Sequence, residues 1–141
     1  MAIDQLLIDS MLDNLKTAIA RMENMDLTLD DILGDEDVQD ILDRRMQIAI
    51  ENCIDIATHL AAGLDLERKE RAADVFLLLL EHKVISDPIA RKLAGAVGLR
   101  NILVHEYADI DYKLAYSDLK EKLQDLKSFA REVISFIEKQ S

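Results

Sequence analysis

Residues 38–62 read VQDILDRRMQIAIENCIDIATHLAA. Apolar side chains stand at Ile41, Leu42, Met46, Ile48, Ala49, Ile50, Cys53, Ile54, Ile56, Ala57, Leu60 and Ala61. On a helix they go most of the way round, and such a helix has to be covered on more than one side. Several partner helices are therefore required, and the rest of the chain supplies them. Gly63 follows as the expected C′ residue, because glycine tolerates the left-handed conformation there.

Upstream, Ile3, Leu7, Met11, Leu15, Ile19 and Met22 recur every three or four residues, one stripe of an amphipathic helix. Residues 26–36, with Gly34, read as a connection. Downstream, residues 67–82 form a third helix. Its apolar run at 76–80 consists of a phenylalanine and four leucines, none of them β-branched, between charged flanks, which favours helix over buried strand. Asp87 suits an N-cap and Pro88 the first position of a fourth helix, which continues through Ile89, Leu93, Val97 and Leu103 or Val104. Gly95 and Gly98 inside it cost about 1 kcal/mol each relative to alanine, so a closely approaching neighbour is expected there. A last helix over residues 111–139 carries the stripe Leu119, Leu123, Leu126, Ala130, Val133 and Ile137. The expected fold is all-α: a bundle of four long helices and one shorter helix, in a single domain over residues 1–141.

The 141 residues are 50% hydrophobic and 32% charged, with 4 glycines and 1 proline. Those values exclude a disordered, low-complexity or turn-rich β protein. One cysteine excludes an intrachain disulfide and a thiolate zinc site. No apolar run reaches membrane-span length and no basic-then-apolar leader pattern opens the chain, so a cytoplasmic protein is expected. The net charge is −11, but residues 23–43 hold nine acids and no Lys or Arg. The remainder is close to neutral. A uniformly acidic surface would repel nucleic acid, whereas a nearly neutral body leaves room for a local phosphate site. The acidic segment reads as a solvated loop and helix start, or, more sharply, as a dock for a basic partner.

The histidines are His59, His82 and His105. No HExxH, no histidine–carboxylate cluster at ligand spacing and no glycine-rich phosphate loop is present, so neither a metal nor a cofactor is expected. The informative stretch is Arg100-Asn101-Ile102-Leu103-Val104-His105-Glu106-Tyr107, at the end of the glycine-containing helix. Taken singly, these residues are ordinary surface groups. Together they form Arg-x4-His-x-Tyr, which resembles the signature of the HEPN superfamily and in particular its HepT-like branch, the toxin half of HepT/MntA toxin–antitoxin pairs. The text from Leu93 through Gly98-Leu99-Arg100 and that from Gln47 to Ala57 resemble the same branch, so the likeness covers nearly the whole chain.

The resemblance implies a metal-independent endoribonuclease acting on RNA, in that branch on tRNA. An arginine fork matches phosphate oxygens, and an imidazole exchanges protons near neutrality. His105 would be the general base or acid for attack of a ribose 2′-OH on its phosphate. Arg100 would stabilise the charge on the phosphoryl oxygens, with Asn101 in support. DNA lacks the 2′-OH and is not a substrate. Tyr107 would accept AMP units from a partner MntA-like minimal nucleotidyltransferase antitoxin, which silences the site. On a continuous helix Arg100 and His105 lie about 140° apart. Either the helix distorts or ends near His105, or the site spans two subunits; the resemblance favours a homodimer with paired motifs. Glu51, Asp55 and His59 form a polar stripe at i, i+4, i+8, and Glu51 or Asp55 could orient Arg100 or His105 across that seam. Arg44, Arg45, Arg91 and Lys92 are weaker candidates for RNA backbone contact. The alternative is a non-catalytic HEPN adaptor whose role is to bind the nucleotidyltransferase.

Overall fold

A computed structural model describes residues 3–105 and 109–140. The described residues form seven helices: α1 (Gln5–Asn24), α2 (Leu29–Leu33), α3 (Glu36–Gly63), α4 (Ala72–Glu81), α5 (Asp87–His105), α6 (Tyr112–Tyr116) and α7 (Leu119–Gln140). No strand occurs among them. The fold is all-helical, as the periodicity requires.

α3 is the axis. It packs against α1, α5, α4, α2 and α7, and its Leu42, Met46, Ala49, Ile50, Cys53, Ile56, Ala57 and Leu60 are fully or almost fully buried. This explains why its apolar positions go nearly round. Phe76 of α4 meets Phe129 of α7 edge to face, centroids 5.6 Å apart, a contact worth about 0.5–1.5 kcal/mol beyond its buried area. The α7 stripe from Leu119 to Ile137 is buried at all six expected positions, with Phe129 added. The 76–80 run is helical.

Several boundaries differ from expectation, each for a local reason. The buried stripe of α1 is Ile8, Leu12, Leu15, Ala18, Ile19 and Met22; Leu7, about 90° round an ideal helix from the centre of that stripe, is exposed. The 26–36 connection contains α2, started by a capping box in which Thr28 and Asp31 bond each other's backbone N–H at 3.1 and 2.9 Å. Gly63 is not the C′ residue. α3 runs through it, and Asp65 takes the left-handed conformation (φ 56°). Leu66 N–H then bonds Ala61 C=O and Asp65 N–H bonds Ala62 C=O, a Schellman closure. The third helix starts at Ala72 rather than near 67, and Lys83 closes it in the same way. Asp87 is already helical, and the Ser86 carbonyl accepts from Ala90, which moves the cap one residue earlier. The last helix is broken into α6 and α7 at Ser117-Asp118, where the Asp118 carbonyl starts α7.

Part of the acidic segment serves the backbone. Asp35 accepts from the N–H groups of Asp37 and Val38, and Glu36 and Asp37 occupy the first turn of α3, where negative charge suits the helix dipole. Backbone and hydroxyl bonds from Thr28 hold the Asp31 carboxyl below its ordinary range. No helix among the described residues is long and apolar enough to cross a membrane.

Candidate functional site

α5 is helical from Asp87 to His105, so no distortion before His105 brings that side chain round to Arg100. Ile89, Leu93, Val97 and Leu103 face the core. Arg100 lies on the side turned to α3, three-quarters buried, with Nη1 3.9 Å from Glu51 Oε1. The same carboxylate oxygen accepts from Gln47 Nε2 at 3.2 Å. At 3.9 Å the ion pair is longer than a hydrogen bond. Arg100 Nε is buried and has no hydrogen-bond partner among the described residues. The guanidinium therefore keeps donor capacity that the described part of the fold does not consume, and a buried donor left unpaired costs about 1–3 kcal/mol.

His105 is the last residue of α5 and is exposed, as is Asn101. On an ideal helix Gly95, Gly98, Ile102 and His105 share a sector about 80° wide, roughly opposite Arg100. No atom of a neighbouring element lies within 4 Å of a Cβ built on Gly95 or Gly98. The neighbour expected to explain these glycines is thus not supplied by this chain's own described residues. Ile102 and Val104 of α5 and Ile48 of α3 are also partly exposed, at 39%, 37% and 37%.

Glu51 meets Arg100 within one chain. Asp55 and His59, one and two turns further along α3, are exposed, and Asp55 touches neither Arg100 nor His105 through a polar contact among the described residues. Arg91 is bonded to Asp87, Lys92 to Asp125 at 3.1 Å, and Arg45 to the Arg21 carbonyl at 3.1 Å. Of the four weaker cationic candidates only Arg44 is without a polar partner among the described residues. Cys53 is buried in the core, and burial pushes its thiol up. Tyr107 lies outside the described residues. Among those described, no group of three or more His, Cys, Asp or Glu is placed to hold a metal ion.

A cleft of about 710 Å³ opens beside this region between α5, α6 and α7, with Ile102 and Leu114 on its apolar wall. Its rim carries Asp109, Asp111, Asp118, Glu121 and Asp125 against Lys92 and Lys122. Both lysines are paired with aspartates of that rim, Lys122 with Asp118 at 2.7 Å. Acids outnumber bases on that rim, which disfavours a polyphosphate there, and neither Arg100 nor His105 lines it. The feature that sequence reading missed is a tyrosine–aspartate cluster: Tyr112 and Tyr116 both donate to Asp43, at 2.5 and 2.6 Å. These partners are 69 and 73 residues apart, and no local spacing rule reaches that far.

An all-helical bundle of this kind is the fold of a HEPN toxin of known structure. Residues 15–133 match the family model described as ribonuclease HepT-like. The chain belongs to that family. It is 31% identical over 131 residues to a tRNA nuclease HepT of Aphanizomenon flos-aquae, covering 93% of this chain and 85% of that one. It is 33% identical over 92 residues to an mRNA nuclease HepT of Shewanella oneidensis, covering 65% and 69%. Among solved structures, the chain is similar to a tri-AMPylated Shewanella oneidensis HEPN toxin in complex with MNT antitoxin, with TM-score 0.84, 27% identity and coverage of 91% and 96%. A Bacillus subtilis cytosolic protein of unknown function shares the fold, with TM-score 0.86 at 20% identity over 99% of this chain and 95% of that one.

Proposed function

We propose that this chain is the RNA-cleaving toxin of a toxin–antitoxin pair, that Arg100 and His105 form its site, and that tRNA is its substrate. The observation that carries the site is the under-used Arg100 guanidinium: one nitrogen at long range from Glu51, and Nε buried and unpaired among the described residues. A phosphate oxygen is the anion such a fork takes up. In the reaction the ribose 2′-oxygen attacks phosphorus as its proton passes to a base, and the bond to the 5′-oxygen breaks with that oxygen leaving protonated. The products are a 2′,3′-cyclic phosphate and a 5′-hydroxyl end. His105 serves one of the two proton transfers, and Arg100 stabilises the phosphorane charge. Glu51 positions Arg100, and Asn101 supports the phosphate.

On an ideal helix Arg100 and His105 lie about 140° apart, and this reading pairs them across two copies. In the homodimer the Arg100 of each subunit shares a cleft with the other's His105. The antitoxin partner is a nucleotidyltransferase of the MNT class, which transfers AMP to Tyr107. The tRNA assignment rests on the relative that covers 93% of the chain.

The test is cleavage of tRNA and of an mRNA by the purified chain in EDTA, with end-group analysis. Cyclic phosphate ends on tRNA, lost in Arg100→Ala and His105→Ala, are the expected result. A His105→Ala protein that cleaves RNA and arrests growth as well as the parent removes the assignment. Cleavage of the mRNA alone moves the substrate, and a chain that binds the nucleotidyltransferase but cleaves neither is the adaptor.

A further inference from the structure

The chain has three tyrosines, Tyr107, Tyr112 and Tyr116, all within ten residues. If AMP is transferred to one of them, something has to spare the other two. We propose that Asp43 makes this choice: by holding the hydroxyls of Tyr112 and Tyr116 it masks both, and leaves Tyr107 as the acceptor. The inference rests on the acceptor reading given above and adds the residue that sets its specificity.

The geometry is a closed cluster. Tyr112 Oη donates to Asp43 Oδ2 at 2.5 Å and Tyr116 Oη to Asp43 Oδ1 at 2.6 Å, one hydroxyl on each carboxylate oxygen. The two rings stack with centroids 6.0 Å apart. Tyr116 is 2% exposed and out of reach of any nucleotide. Tyr112 is only half-buried, so burial alone does not protect it. Nucleotidyl transfer needs the phenolic oxygen to attack the α-phosphorus of ATP. A new O–P bond forms, the α–β bridging bond breaks, pyrophosphate leaves with that electron pair, and the phenolic proton passes to a base of the transferase. For Tyr112 that attack would bring a polyanionic triphosphate onto the Asp43 carboxylate, with Asp40 adding charge from the same helix. Burial, the bond to Asp43 and the Asp43 and Asp40 charges all raise the Tyr112 hydroxyl above its ordinary range, which further lowers its nucleophilicity at neutral pH.

The experiment compares the full chain with Asp43→Ala and Asp43→Asn. The amide removes the charge and replaces one acceptor oxygen by an NH2, which cannot take the phenolic hydrogen, so Asn also weakens the mask if Ala proves too disruptive. Each folded protein, checked by a cooperative melt, is nitrated with tetranitromethane. Separately, each is incubated with an MNT-class nucleotidyltransferase and ATP, and both products are mapped by peptide mass spectrometry. The expected result is AMP on Tyr107 alone in the parent, with Tyr112 spared by nitration. In the variants Tyr112 is nitrated at least tenfold faster and also receives AMP. A variant that folds and leaves Tyr112 unreactive to both reagents, or a parent that carries AMP on Tyr112, overturns the proposal. Released nitration with no AMP on any tyrosine overturns it through its premise, the acceptor reading, and leaves the hydroxyl mask itself standing.

Discussion

Two carboxylates on the same helix are used in opposite ways. Asp43 of α3 has a short bond on each oxygen, to Tyr112 and Tyr116, and so ties α6 to the bundle. Glu51, two turns further on, shares one oxygen between Gln47 at 3.2 Å and Arg100 at 3.9 Å. The first cluster is saturated; the second leaves a cation partly unspent. A five-residue helix such as α6 has no stability of its own, so a saturated polar cluster belongs there. A site that has to accept an incoming anion needs the opposite arrangement, since a fully partnered arginine would lose as much as it gained on binding phosphate.

The largest effect that tests this contrast is on catalysis. Arg100→Ala should lower RNA cleavage by at least about 100-fold, the usual cost of deleting a charge-stabilising donor. It should barely move the melting temperature, because a long, part-exposed ion pair contributes about 0–1 kcal/mol. Cleavage gels and a thermal melt on the same preparation check both halves. An arginine whose loss mainly unfolds the protein would place it with the structural cluster instead.

The mirror experiment is Asp43→Ala. It removes two hydrogen bonds to a charged acceptor and strands the hydroxyl of the buried Tyr116. A loss of about 2–4 kcal/mol is expected from such bonds, read as a lower midpoint in urea. Cleavage per folded molecule should change by less than about tenfold, so the two variants should exchange signatures.

How far the contrast was legible beforehand depends on range. The α7 stripe and the all-round burial of α3 follow from spacing along a single helix, and both are found where spacing puts them. The capping box at Thr28 and Asp31 was also written locally, yet residues 26–36 read as a connection because five residues carry too little periodicity to register as a helix. Asp65 rather than Gly63 closes α3, since the left-handed position is set by which carbonyls need partners and not by the nearest glycine. Glu51 stood out as a polar residue on an apolar helix. Its partner in the same chain could not be told from one across a seam, because the rotation of α5 against α3 is a packing outcome. The Asp43 cluster joins residues some 70 apart and left no trace in any window. Tyr107, which the motif singles out most directly, lies outside the described residues.

A smaller effect is expected at Glu51. Glu51→Gln keeps the shape and removes the charge, so Arg100 loses its only described counter-charge. Cleavage should fall several-fold, by less than about tenfold, with stability unchanged within about 1 kcal/mol. A stability loss as large as that of Asp43→Ala would erase the distinction between the two carboxylates.

The smallest effect is a pH dependence, and it separates Asp43 from the capping carboxylate Asp31 by sign. Burial raises the Asp43 carboxyl above its ordinary value of 3.8, the two tyrosine hydrogen bonds pull it back only in part, and Asp40 adds to the rise. A carboxyl raised in the folded state binds its proton more tightly there than in the unfolded chain. Its contribution is therefore greatest at low pH and declines as pH rises through the folded value. Asp31, lowered by its capping bonds, works the other way, losing its contribution as pH falls. Comparing the parent with Asp43→Asn cancels Asp31 and leaves Asp43 alone. The parent's advantage in urea melts should then grow as pH is lowered from 7 toward 4. An advantage that shrinks over that interval would mean that the tyrosine hydroxyls outweigh burial at Asp43, making it a stabilised anion of the same kind as the capping carboxylates.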